Sequence, residues 1–143
     1  MVPTRFAVAI HILLLLACGQ RDRPATSQLI AESVNTNPVV VRRITGLLAR
    51  AGLVRVRRGP GGAELTRAAA EITLADVWVA MNVGQGGRAA GPMLPLHACP
   101  NVECPIGGRV HAVLGEAFAG VEAAILEALR RKTLAGLVTG VGG

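Results

Sequence analysis

The sequence predicts a mainly α-helical fold with one short two-stranded ribbon and a long C-terminal helix. Apolar residues recur at three- and four-residue intervals over most of the chain, which is the spacing of a buried helix face. In one stretch, Leu53 to Arg57, valine alternates instead with arginine, and the glycine-rich segment 59–62 follows. The 143 residues are 51% hydrophobic but only 2% aromatic, so aliphatic side chains must fill the core.

The N-terminal segment is predicted to form a core helix that includes Cys18 as a buried residue near its end. The same segment, Arg5 and an apolar run up to Cys18, also matches the lipid-attachment box of bacterial lipoproteins. His11 interrupts the run, which is too short to span a bilayer, so the core helix is favoured. The alternative is a lipid-anchored envelope protein whose basic hairpin faces the membrane. The predicted core stripe comprises Phe6, Ile10, Leu13 and Leu14.

Two further helices are predicted between Thr26 and Ala51, separated by a turn at residues 35–37. Thr26 or Ser27 would cap the first helix, because a hydroxyl can accept hydrogen bonds from the unpaired amides of the first turn. Pro38 suits the first position of the second helix, where no amide donor is needed. The second helix would bury a face at helical spacing, made of Val41, Ile44, Leu48 and Ala51.

The ribbon would pair residues 53–57 with residues 63–66 and so complete a winged helix-turn-helix. Arg42 to Arg67 contains seven arginines and one acid, Glu64, a balance of +6 that equals the net charge of the whole chain. Arginine contacts to phosphate supply much of the affinity for a duplex, and a helix in the major groove can read base edges. The charge therefore predicts double-stranded DNA as the partner, with a merely solvated basic surface as the alternative.

The C-terminal half is predicted to mediate dimerisation. Thr73 would cap a helix that reaches Met81, and the longest helical pattern runs from Pro105 to Lys132. Its wide apolar stripe finds little cover in the rest of the chain, so a second copy would have to bury it. The predicted organisation is a DNA-binding domain at 1–83, a flexible loop with two cysteines at 84–104, and a dimerisation helix with a short capping helix at 105–138.

The run from Ala31 to Gly62, AESVNTNPVVVRRITGLLARAGLVRVRRGPGG, resembles the Rrf-two family of bacterial winged-helix transcription regulators. This family includes the iron-sulfur cluster regulator, the nitric-oxide-sensing repressor and the cysteine-metabolism repressor. A weaker likeness extends from Phe6 to Leu137. The resemblance implies a cytoplasmic, nucleoid-associated homodimer on an inverted-repeat operator, and family precedent favours a repressor.

The same resemblance implies which residues touch DNA, with the start of the second helix in the major groove and the wing at the minor groove. In place of the aromatic residue that usually follows the wing glycines, this chain has Ala63-Glu64-Leu65. The implied base-reading residues are Asn37, Val39, Val40, Arg42 and Arg43, and the implied wing contacts are Arg57, Arg58 and Gly59.

Two cysteines, Cys99 and Cys104, precede the long helix. Sensor members of the resembled family hold an iron-sulfur cluster there with three cysteines, so no cofactor is expected unless His97, His111, Glu103 or a partner residue completes the set. A zinc site is no more favoured. The simplest interpretation is a turn that starts the helix. Among active roles a reversible thiol switch is favoured, because a helix N-terminus stabilises a thiolate at Cys104 and Cys99 could resolve its oxidised form.

Enzymatic activity is not predicted. The sequence shows no paired carboxylates, no Ser-His-Asp arrangement and no specific metal-ligand motif, and its three histidines are scattered.

Overall fold

A computed structural model of the chain describes residues 4–19, 23–58, 61–82 and 91–141. Within these ranges the chain forms six α-helices, a two-stranded antiparallel sheet and a short 3-10 turn at Ala69–Glu71. This architecture confirms the predicted fold class, a winged helix-turn-helix with a long C-terminal helix. The helices are α1 Arg5–Cys18, α2 Ser27–Val34, α3 Pro38–Arg50, α4 Leu74–Met81, α5 Val110–Arg130 and α6 Leu134–Val141; the strands are β1 Val54–Val56 and β2 Ala63–Leu65.

Side-chain caps define the starts of the three central helices. The Thr26 hydroxyl accepts a hydrogen bond from the Leu29 amide at 3.2 Å, so Thr26 caps α2. Asn37 caps α3 through its side-chain oxygen, and Pro38 follows in the first helical turn. Thr73 caps α4 as predicted and shares a reciprocal capping box with Asp76.

The core lies where α1, α3, α4 and α6 meet. Ile12 and Leu13 of α1 are fully buried, and so is Leu134 at the start of α6. The segment that also matched a lipid-attachment box therefore contributes the centre of the core. Among the described residues, no helix combines the length and the apolar character that a membrane crossing requires. The largest fully buried side chains are Ile12, Leu13, Ile30, Leu48, Leu53, Ile72, Met81, Leu134, Val41 and Val77.

Two residues predicted to be buried are exposed. Cys18 is the last residue of α1 and is exposed. Ala51 is also exposed because α3 ends at Arg50, so Ala51 is a cap residue and not part of the buried face. Both expectations were wrong for the same reason: periodicity alone does not show where a helix leaves the core.

The long helix starts later than predicted, at Val110 and not at Pro105. Residues 102–109 form turns, and a side chain at Gly107 would collide with the carbonyl oxygen of Asn101. Proline and two consecutive glycines oppose helix propagation, so the turn persists up to Arg109. Part of the preceding loop is tied to α5, because the Leu94 amide donates to the Glu122 carboxylate at 2.9 Å.

Within this single chain α5 has no buried residue. Val113, Val121 and Ile125 are 63%, 48% and 38% exposed. Together with the exposed Ala117, Ala124 and Ala128 they form a continuous apolar surface at helical spacing, which we call the α5 stripe.

Candidate nucleic-acid interface

The second helix of the helix-turn-helix, α3, presents a basic face to solvent. Its other face is buried through Val41, Ile44 and Leu48. Since positions three and four apart share a helix face, burial of this set turns the arginines outward. Apart from Gly46, its chain neighbours and the nearby backbone of α3, no atom lies within 4 Å of where a side chain at Gly46 would begin, so the middle of this face is open. The exposed face comprises Val39, Arg42, Arg43, Gly46 and Arg50.

The start of α3 carries the other predicted base-reading residues. Asn37 is exposed, and its side-chain oxygen accepts the Val40 amide at 3.0 Å. Its side-chain NH2 group takes no part in this contact and can donate to another partner. Val39 is 56% exposed, whereas Val40 is half-buried against the core. Of the two valines, Val39 is therefore the more accessible to a partner.

The wing is held against the helix-turn-helix by backbone contacts. The Ala63 amide donates to the Ala25 carbonyl at 3.1 Å, which joins β2 to the chain two residues before α2. Gly62 has a φ of +70°, and a side chain there would lie 2.7 Å from the Ala25 backbone. Only glycine fits this position without strain. The base of the wing therefore has a fixed place beside α2.

The outer face of the wing is charged and its inner face is apolar. Arg55 lies directly opposite Glu64 in the sheet register, with Val54 paired to Leu65 on the other face. Arg55 Nε lies 3.2 Å from one Glu64 oxygen, and Arg57 Nη2 lies 3.0 Å from the other. One carboxylate therefore binds both arginines. Sequence reasoning missed this contact because it depends on the register of the two strands.

All seven arginines between Arg42 and Arg67 are exposed, as a DNA-binding surface requires. Glu64, the one acid in this stretch, is half-buried between two of them. Arg58 is exposed beside the wing tip, and Gly59 lies outside the described residues. The excess positive charge of the chain is therefore accessible on α3 and the wing, where it can contact phosphate.

The two loop cysteines are also accessible. Cys99 and Cys104 are both free and exposed, and Cys99 adopts a left-handed conformation with φ 49°. Hydrogen bonds from the backbone amides of Gly107 and Ile106 lower the pKa of the Cys104 thiol below its usual value. The sequence had suggested a helix dipole as the cause, but α5 begins six residues later, so the turn amides stabilise the thiolate instead.

These features define the chain as a winged helix-turn-helix protein with a basic surface on α3 and the wing. A sequence profile of Rrf2, described as an iron-dependent transcriptional regulator, matches residues 2–140. The chain therefore belongs to the Rrf2 family of transcriptional regulators, the family that the run from Ala31 to Gly62 resembles.

Individual relatives agree with this assignment. YwnA of Bacillus subtilis, provisionally named an HTH-type transcriptional regulator, is 39% identical over 134 residues, which is 94% of each chain. A solved structure provisionally described as a DNA-binding protein is 36% identical, covers 93% of this chain and 97% of its own, and has a TM-score of 0.71. CymR, the global cysteine regulator of Bacillus subtilis, shares the fold at 23% identity and a TM-score of 0.66, over 97% of this chain and 96% of its own.

The family description implies iron, but the donor residues do not fit an iron site within this single chain. In the part of the chain that the structure describes, no three His, Cys, Asp or Glu side chains come together to hold a metal ion. The rings of His97 and His111 pack edge to face with their centroids 5.3 Å apart. However, His111 Nε2 is hydrogen-bonded to the His97 carbonyl oxygen at 2.7 Å. That contact occupies one of the two nitrogens with which His111 could bind a metal.

The lowered pKa of Cys104 predicts a measurable reactivity. In a Cys18→Ser, Cys99→Ser variant, the alkylation rate of Cys104 by iodoacetamide should reach half its maximum at a pH below that of an ordinary thiol. The midpoint is expected to shift to lower pH because the turn amides stabilise the thiolate and so raise its population at neutral pH.

The control is the same variant in denaturant, where the turn is lost and the midpoint should move up to the ordinary value. Identical midpoints in the folded and the denatured protein would contradict the assignment.

Proposed function

We propose that the protein is a cytoplasmic, nucleoid-associated homodimer that binds an inverted-repeat operator and represses transcription. The observation that carries this proposal is the pairing of two exposed surfaces on one chain, the arginines of α3 and the wing, and the α5 stripe. The first suits an acidic duplex and the second suits another copy of the chain. No catalytic activity is part of the proposal, and family membership leaves the lipid-anchored envelope protein without support.

In the proposed complex the start of α3 enters the major groove. Asn37, Val39, Arg42 and Arg43 would contact base edges and nearby phosphates, with Val40 supporting the helix start. Arginine can donate two hydrogen bonds to guanine, and asparagine can bond adenine in the same way. Arg57, Arg58 and Gly59 would follow the minor groove, whose negative potential attracts arginine where it is narrow.

A dimer through α5 suits this mode of binding. A two-fold axis applies the same patch to both subunits, and an inverted repeat has the matching two-fold symmetry. Val113, Val121 and Ile125 would supply apolar contact, and the alanines between them would let the two helices approach closely. In this arrangement residues 1–83 bind DNA, residues 84–104 form the cysteine loop and residues 105–138 hold the dimer.

DNA binding should depend on Arg42 and Arg43. Changing both to alanine is expected to weaken affinity for the operator by about 100-fold, because the variant lacks two guanidinium groups that bind bases or phosphates. The slope of log affinity against log salt should fall by about 0.9 for each phosphate that is no longer neutralised. Fluorescence anisotropy with the duplex from upstream of the gene and a scrambled duplex, at several salt concentrations, measures both quantities.

The matched control is Arg130→Ala with Arg131→Ala, an adjacent arginine pair at the end of α5 that removes the same charge. This variant should bind like the wild type. An equal loss of affinity in both double variants would show that only net charge matters and would contradict the assignment to α3.

Dimerisation should depend on the α5 stripe. Val121→Glu places a charge in the proposed interface, where it would be buried without a partner, so the variant is expected to be monomeric. Ala123→Glu is the control, since Ala123 is exposed on α5 and lies outside the stripe. Light scattering coupled to size-exclusion chromatography gives the masses, and a dimeric Val121→Glu protein would place the interface elsewhere.

A second proposal concerns Cys99 and Cys104, which we infer to form a reversible thiol switch. It is supported by the exposure of both thiols and by the turn amides that stabilise the Cys104 thiolate. A peroxide would oxidise Cys104 to a sulfenic acid, and Cys99 would displace water from it to form a disulfide. The DNA affinity of the wild type should then change with peroxide and recover with a thiol reductant. If the Cys99→Ser, Cys104→Ser variant responded to peroxide like the wild type, the switch would be excluded.

A further inference from the structure

Glu64 occupies an unusual place in a surface suited to DNA. It is the one acidic residue in the segment from Arg42 to Arg67, which contains seven arginines, and it lies on the outer face of the wing. An acid in such a position opposes the approach of phosphate through like-charge repulsion. Its presence therefore needs a physical explanation beyond general affinity for DNA.

The contacts of Glu64 show how it acts on its neighbours. The register of the ribbon sets Arg55 directly across from Glu64, and Arg57 is the first residue after β1, two positions beyond Arg55. Arg57 donates from Nη2 to both carboxylate oxygens, at 3.0 and 3.2 Å, and Arg55 Nε lies 3.2 Å from one of them. We call this three-residue arrangement the wing clamp.

The wing clamp contributes little to folding. The side chains of Arg55 and Arg57 are 67% and 61% exposed, and ion pairs so open to water add little stability. The wing is held instead by backbone pairing and by the close fit of Gly62 on Ala25. The clamp therefore affects mainly the conformations of the two arginines.

Restricting the conformations of Arg55 and Arg57 affects non-specific binding and site-specific binding of DNA differently. A free arginine has many rotamers and can reach a phosphate on almost any duplex, which supports non-specific binding. A clamped arginine can bind only where a phosphate or groove edge lies within its fixed reach, so it contributes chiefly at sites of matching shape. The clamp also occupies guanidinium donors that would otherwise bind phosphate.

From this geometry we propose that Glu64 is a specificity-determining positioning residue, which holds Arg55 and Arg57 so that the wing discriminates the operator from other DNA. The inference rests on the proposed function, since it assigns a role within DNA binding. Glu64 acts through the two arginines and need not touch DNA itself.

The test compares two duplexes, one enriched by the wild-type protein from a random library and a scrambled version of it. Glu64→Gln removes the charge, so affinity for the scrambled duplex should rise about fivefold, the upper range for one exposed ion pair. For the scrambled duplex, the slope of log affinity against log salt should become steeper by about 0.9 for each released arginine that contacts phosphate. Affinity for the enriched duplex should change less, so the ratio of the two affinities falls.

Two further variants distinguish the effect of the position of the Glu64 carboxylate from the effect of its charge. Glu64→Asp keeps the charge but retracts the carboxylate by one methylene, so it cannot hold both arginines and should also lower the affinity ratio. Glu71→Gln removes the same charge at an exposed residue that forms no ion pair in the described part of the chain, and it should behave like the wild type. Thermal unfolding of each variant should match the wild type, because the clamp is solvent-exposed.

Failure of the inference and failure of the proposed function give different results. If the wild type enriches no duplex, the proposed function is overturned and the role of Glu64 with it. If the wild type enriches a duplex but Glu64→Gln shifts both affinities by the same factor, or Glu64→Asp keeps the wild-type ratio, only the inference is overturned. The Nε–H relaxation of Arg55 and Arg57 in the free protein provides a readout without DNA, and both groups should become more mobile in Glu64→Gln.

Discussion

The amphipathic packing of α3 is the constraint on which the rest of the structure depends. Val41, Ile44 and Leu48 are buried among α1, α2 and α4, and this fixes the rotation of α3 about its own axis. Each such side chain contributes roughly 1.5–3 kcal/mol on burial, and a helix turned the other way would also bury unpaired arginines. The outward position of Arg42 and Arg43 is therefore a consequence of the core.

The wing takes its position from the backbone more than from its side chains. β1 follows α3 after a short turn at Gly52, whose φ is +76°, and β2 returns to pair with Ala25 just before α2. The helix-turn-helix and the ribbon are thus joined at both ends of the ribbon. Because these joints use main-chain atoms and glycine conformations, side chains such as Glu64 on the outer face can vary without moving the wing.

Features set by local interactions could be predicted from the sequence, and features set by distant contacts could not. The caps at Thr26 and Thr73 depend on residues three positions away, so their side chains and spacing were sufficient, whereas Asn37 had been assigned only to the turn before α3. The exposure of Cys18 depends on where α1 leaves the core, which no local pattern records. The contact of Glu64 with two arginines required the strand register.

Hydrogen bonds connect the cysteine loop to α5, so a change in the loop could affect DNA binding through this helix. The Leu94 amide donates to Glu122, and the His97 carbonyl oxygen is bonded to His111, so two points of the loop are attached to the helix that bears the α5 stripe. A disulfide between Cys99 and Cys104 would close the loop between these attachments and the start of α5. In a dimer held by α5, a small rotation of this helix would change the distance between the two α3 helices. An inverted repeat has a fixed half-site spacing, so a change in the distance between the two α3 helices would lower the affinity for DNA.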